Sequence, residues 1–184
     1  LLDARVSLTR LNIGCGPNPV DGWLNLDRRW HQGVDLCCDL REPIPLGDAS
    51  IDYAVAIHVL QDMAWGDLPR AVSEMRRVLK PDGVLRLALP DLERAIDAWR
   101  RGDSGYFYVP DEDARSIGAK LVTQIIWYGS VRTPFTFDFA AELLTNSGFR
   151  TASRCAFRQT CSAWPEIVVL DNRERESLFV EAVK

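Results

Sequence analysis

Apolar residues recur along the chain in short runs at 11–13, 23–26, 34–40, 51–57 and 84–89, each bounded by glycine, proline or charged turns. Runs of this length with flanking turn residues predict buried strands. Between the last two runs the period changes. Leu68, Ala71, Val72, Met75, Val78 and Leu79 fall on one face of a helix, and Arg70, Arg76 and Arg77 fall on the other. Asp67 is placed to cap that helix, and "KPDG" at 80–83 to stop it. "DLERAIDAWRR" at 91–101 predicts a second helix and "ARSIGAKLVTQIIWYG" at 114–129 a third, with Trp127 on its core side. "DFAAELLTNSGF" at 138–149 predicts a fourth, closed by Gly148, and "SLFVEAVK" predicts a final strand. Strands alternating with helices imply an α/β domain around a mostly parallel sheet.

One stretch breaks the regularity. "LNIGCGPNPVDGWLNLD" runs from a strand through the glycine turn Gly14-Cys15-Gly16 into a second strand ending on Asp27. A dinucleotide fold places a helix between such a turn and its acid, about 20 residues apart. Here the gap is 11 positions, with Pro17 and Pro19 inside it and no third glycine at 19. The stretch predicts one irregular turn and no helix N-terminus for a pyrophosphate.

The remaining composition narrows the function. The chain has 184 residues, enough for one domain, with 47% hydrophobic and 26% charged residues. A net charge of −4 without a basic block argues against nucleic acid. No apolar run approaches the ~18 residues of a membrane span. The N-terminal "LLDARVSLTR" carries acids and bases without an apolar core, so it does not read as a signal peptide, and the missing initiator Met suggests trimming. Five cysteines without a C-x-x-C pair read as reduced thiols of a cytoplasmic protein. Two histidines, His31 and His58, make a His-rich zinc site an unattractive reading, and no metal is expected in the active site.

Taken in order, "LNIGCGP", "GWLNLD", "CDLREPIPL", "SIDYAVAIHVLQDM", "MRRVLKPDGVLRLALPDLE", "LLTNSGF" and "SLFVEAVK" resemble the class I methyltransferases that use S-adenosylmethionine (SAM). The resemblance is to the methyltransferase type 11-like kind, in a small bacterial branch with a compact GCG…GWLNLD motif, and covers roughly residues 10–184. It implies a Rossmann-like, doubly wound, seven-stranded sheet, mostly parallel with a final antiparallel strand. It also implies a single domain with a substrate-side insertion around 102–137. SAM has no phosphate, so the shortened turn suits it better than NAD.

On this reading Gly14 and Gly16 let backbone approach the cofactor, and Asp27 accepts the ribose hydroxyls. Asn12 and Cys15 join the cofactor contacts, Cys15 as a small buried neighbour and not a nucleophile. Asp39 meets the adenine amino group while Leu40 packs on the ring. Asp52 caps a turn in "GDASID". His58 closes the fourth strand, where the family often reads "HVLEH" and this chain reads "HVLQD", with Asp62 at the second histidine's position. It is either a locally bonded histidine, a cofactor contact or an acceptor base. Asp91 ends the fifth strand as a helix cap, a substrate contact or both. Tyr106, Phe107 and Tyr108 are candidates for a substrate wall. Asp111, Glu112 and Asp113 read as a solvated acidic loop ahead of a metal site.

The expected reaction is methyl transfer to a hydroxyl of a sugar or other small molecule. The rivals are N- or C-methylation of another small molecule, or a catalytically silent partner subunit of the same fold. The expected partner is a small-molecule or saccharide acceptor, with no nucleic acid and no membrane span.

Overall fold

A computed structural model describes residues 8–184; residues 1–7, most of the N-terminal segment weighed above, lie outside the described residues. Among the described residues seven strands form one sheet: β1 (Arg10–Ile13), β2 (Leu24–Asp27), β3 (Leu36–Cys37), β4 (Ile51–Ile57), β5 (Leu79–Pro90), β6 (Thr151–Cys155) and β7 (Ser177–Val183). The order is β3-β2-β1-β4-β5-β7-β6. The first five are parallel, and β7 is antiparallel to both β5 and β6. This is the mostly parallel sheet that the alternation of elements implied, in the Rossmann-like form that the resemblance implied. The strand order reverses direction between β1 and β4, so the rim above that pair is where an open α/β sheet binds ligands.

The first helix, α1 (Leu68–Val78), buries Leu68, Ala71, Val72, Met75 and Val78. With Ala140, Leu143 and Leu144 of α4 (Phe137–Asn146) these residues fill one face of the sheet. Asp67 does not cap α1. A 3-10 turn, Trp65–Asp67, runs directly into the helix, so Asp67 is already helical (φ −86°, ψ −21°) and its side chain makes no cap bond. The stop comes at Leu79, which turns extended and pairs with Ile51. "KPDG" is therefore an irregularity inside β5, with Asp82 at φ +61°. Asp52 does not cap a turn; its carboxylate accepts from Thr9 N and from Lys80 Nζ, tying β5 to β4.

The predicted strand at 34–40 shrinks to Leu36–Cys37, because β3 is an edge with a partner on one side only. β6 escaped the sequence reading: "TASRC" is a largely exposed edge strand without an apolar repeat. As the sequence implied, the β1–β2 connection holds turns and no helix. Asn25 organises it, accepting from Val20 N and donating to Val20 O and Trp23 O.

The other sheet face carries Tyr53, Val55 and Val84, covered by Trp23 and by Ile167 of the 3-10 turn Pro165–Val168. A fully buried Arg86 pins this covering segment. It forms a two-pronged ion pair with Asp171 and a third bond with Glu181, and donates to Ala156 O and Gln159 O. Burying a guanidinium costs several kcal/mol unless its donors are met, and here two carboxylates and two carbonyls meet them.

Candidate active site

Two cavities open on the rim above the β1–β4 switch point. The larger, about 450 Å³, is lined by Gly14, Gly16, Asp27, Asp39, Leu40 and His58 among others. Six of the predicted cofactor residues therefore share one space. Gly14 and Gly16 both have positive φ, +69° and +55°. The reasons for glycine differ. A Cβ on Gly14 would lie 2.4 Å from Val59 Cγ2, whereas a Cβ on Gly16 would meet open space.

Asp27 closes the loop on itself. One carboxylate oxygen accepts from Gly16 N at 2.8 Å and the other from Arg29 N at 2.9 Å. Each oxygen keeps a further lone pair toward the cavity. Asp39 is already engaged: Arg41 bonds both its oxygens and holds its carboxyl at about 2. Any adenine amino group must share that carboxylate with Arg41.

Two expected cofactor residues do not line the cavity. Asn12 is buried and spends its amide on Asn25 Oδ1, joining β1 to β2. Cys15 is also buried, with its thiol toward Gly16 O and raised by burial and by Asp27. Both support the turn from behind. Sequence reasoning missed Arg28, Arg29, His31, Met63, Asp67 and Arg132 as cavity residues. Arg132 could not be read from its own segment, because it arrives through Arg132 N and Thr133 N, both donating to Gln61 O.

The smaller cavity, about 220 Å³, shares His58 and Asp62 with the larger one. Its wall adds Gln61, Asp91, Tyr106, Gln124, Trp127, Arg173 and Glu176. His58 sits at φ +53° with Nε2 2.8 Å from Ser177 Oγ. Burial, reinforced by Arg173, pushes it down to about 3, so it is neutral at ordinary pH. A titration near 6.5, as a general base would show, does not belong to this histidine.

Asp91 is a helix cap. Its Oδ1 accepts from Arg94 N at the start of α2 (Leu92–Arg101). Its Oδ2 is buried without a hydrogen-bond partner, although Arg94 Nε lies 3.3 Å away outside bonding geometry. Gln61 Oε1 is likewise buried and unpartnered. Burial raises the carboxyls of Asp62 and Glu176.

The aromatic trio divides. Tyr106 lines the smaller cavity. Phe107 is core, packed with Tyr106 against Ala95 and Ala98 of α2. Tyr108 is half exposed with the Arg175 guanidinium 4.2 Å above its ring, and lines neither cavity. Trp127 reverses its expectation as a core residue. The third helix, α3 (Ile117–Ile126), ends three residues short of its predicted end, and Trp127 and Tyr128 take left-handed conformations that swing Trp127 out to the cavity wall. In the acidic loop, Asp111 pairs with Lys120 and Asp113 accepts from Tyr128 OH.

Residues 15–87, which supply most of the larger cavity's wall, match the family model described as a methyltransferase domain. No curated protein matches the chain in sequence. Solved structures match in fold. A SAM-dependent methyltransferase from Thermotoga maritima, described as a possible histamine N-methyltransferase, is 17% identical with a TM-score of 0.59; the match covers 96% of this chain and 82% of that one. An S-adenosylmethionine-dependent methyltransferase from Mesorhizobium loti is 19% identical with a TM-score of 0.57, over 97% and 91% of the two chains. A putative methyltransferase from Haloferax volcanii, solved with its Trm112 activator, is 15% identical with a TM-score of 0.54, over 96% and 82%. A methyltransferase-domain match thus runs along the cavity wall, and the sheet beneath it has the fold of these solved methyltransferases.

Proposed function

We propose that SAM occupies the larger cavity and that a small hydroxylated molecule, such as a sugar, enters the smaller one and receives the methyl group on oxygen. The observation that carries this reading is the junction: His58 and Asp62 line both cavities, so a group in one faces a group in the other across them. In-line displacement needs the acceptor held against the sulfonium methyl with water kept out, and that is mainly a matter of positioning.

The smaller cavity presents acceptors. Gln61 Oε1 and Asp91 Oδ2 lack partners, and a buried unpartnered acceptor calls for a donor. Hydroxyl hydrogens supply it. Asp91 takes the proton as the hydroxyl attacks, while neutral His58, held by Ser177, orients the reacting groups. Tyr106 and Trp127 wall the acceptor, and residues 102–137 form the substrate-side insertion. The enzyme acts on a soluble small molecule in the cytoplasm.

One observation favours a second reading. Asp62, Asp91 and Glu176 all line the smaller cavity, and Arg173, beside Glu176, is the one lining cation among the described residues. That surplus of carboxylates suits an amine, methylated on nitrogen.

The test is radiolabelled methyl transfer from SAM to a panel of sugars, other hydroxylated molecules and amines. Under the O-methylation reading, Asp91→Asn lowers kcat by about 10²–10⁴-fold while S-adenosylhomocysteine binding persists. Turnover on amines alone would replace it with the second reading. Cofactor binding without turnover on any acceptor would favour a silent partner subunit.

A further inference from the structure

A second cluster of reactive groups lies outside both cavities. Cys155 ends β6, Cys161 follows the loop 156–160, and Glu181 lies in β7. Their ligand atoms all fall within 4.8 Å of one another, a grouping found nowhere else among the described residues. The two sulfurs are 3.8 Å apart.

That separation has a meaning. Two thiolates bound at ~2.3 Å to a tetrahedral cation have sulfurs about 3.8 Å apart, the edge of the tetrahedron. A disulfide needs ~2.05 Å, so the pair would have to close by nearly half its present distance.

The arrangement does not depend on a cation to form. Arg86 holds Glu181 Oε1 and the carbonyls of Ala156 and Gln159. Asp171 Oδ2 accepts from Arg158 N, and Glu181 Oε2 accepts from Cys161 N. The buried ion network thus folds the loop so that Cys161 returns beside Cys155. Glu181 uses one lone pair on each oxygen and keeps the others. Cys161 is exposed, which leaves an entry path and room for a water as fourth ligand.

We propose that Cys155, Cys161 and Glu181 bind a thiophilic divalent cation, zinc above all, which staples the edge strand β6 to β7 and to the loop that follows it. Two sulfur donors select zinc over magnesium or calcium. Binding replaces the two thiol protons, which leave to solvent, and no electron moves. The site departs from the metal-free reading of the sequence because its ligands come from two strands and a loop, with Glu181 20 residues beyond Cys161. It shares no residue with either cavity, so it is structural and not catalytic.

The test uses the whole chain, reduced and stripped with a chelator, then titrated with Co²⁺. The expected result is stoichiometric binding with thiolate-to-cobalt charge-transfer absorption, displaced by zinc, and a melting temperature that rises with zinc concentration. Cys161→Ser, at an exposed position, should weaken binding by at least the ~10–100-fold seen when a metal's outer partners are lost. The double variant Cys37→Ser/Cys38→Ser, which alters the adjacent cysteine pair elsewhere, should bind as the parent does. Absence of the charge-transfer band while both thiols titrate as free would overturn the proposal, as would a band that survives in Cys161→Ser. A Cys155–Cys161 disulfide that forms in the presence of zinc would overturn it in favour of a redox pair.

Discussion

Ser177 Oγ lies 2.8 Å from His58 Nε2, joining the first residue of β7 to the end of β4 across the intervening β5. The contact fixes a histidine whose backbone is itself left-handed, at φ +53°. It also shows how the last strand of the chain reaches the junction of the two cavities.

The first prediction follows from the charge state of that histidine. His58 is at about 3 in the folded chain and near 6.5 when unfolded. A depressed folded value means the unfolded chain binds the proton first. The stability His58 contributes is therefore fully present above about pH 6.5 and is lost as pH falls toward about 3. Its imidazole should show no NMR titration down to about pH 5. Denaturant midpoints between pH 7 and 4 should fall less steeply in His58→Asn than in the parent. A His58 titration near 6.5 would refute the neutral assignment.

The second concerns the glycine turn. Gly14→Ala adds a Cβ 2.4 Å from Val59 Cγ2 at φ +69°, whereas Gly16→Ala adds one into open space at φ +55°. The left-handed conformation costs about 1–2 kcal/mol at either position. Gly14→Ala must displace Val59 as well, and Val59 lines the larger cavity. Thermal melts should rank Gly14→Ala below Gly16→Ala, and calorimetric titration should find the larger loss of S-adenosylhomocysteine affinity in Gly14→Ala.

The third concerns Asp27. Removing its carboxylate takes away the anchors of Gly16 N and Arg29 N together with the proposed ribose acceptor. Hydrogen bonds to a charged group contribute about 1.5–3 kcal/mol. Asp27→Ala should weaken S-adenosylhomocysteine by about tenfold to a hundredfold. NAD should not raise the melting temperature of the parent protein.

The fourth separates three neighbouring aromatics. Phe107→Ala should cost about 3–5 kcal/mol of stability, as a buried ring does. Tyr108→Ala, at a half-exposed ring, should change stability little. Tyr106→Phe should leave the fold intact and raise the acceptor KM with cofactor affinity unchanged. Urea titrations beside acceptor kinetics read all three outcomes.

The fifth concerns Arg86. Arg86→Ala leaves Asp171 and Glu181 buried without their cation, which typically costs about 3–5 kcal/mol. Unfolding curves should show that loss. Proteolysis should then cut first within 156–171, the segment Arg86 holds.

The mostly parallel sheet, the face that α1 buries and the helix-free glycine turn after β1 were legible in the residues themselves, and the meeting of Gly14, Gly16, Asp27, Asp39 and Leu40 in the family resemblance. The first group rests on local periodicity, on glycine and proline, and on the short spacing between β1 and β2. Four outcomes needed the folded chain. Asn12 turns away from the cavity because a strand alternates its faces and Asn25 claims its amide, and Cys15 because the turn directs its thiol to Gly16 O. Trp127 reaches the cavity wall because α3 ends in two left-handed residues that no apolar pattern announces. Arg86 reads as one charge in a strand until Asp171, 85 residues on, meets it inside the protein. The smaller cavity draws Gln61, Asp91, Tyr106 and Glu176 from segments far apart in the chain. Local propensity carries information over a few residues, so pairings across tens of residues are set only when the sheet and its covering segments pack together.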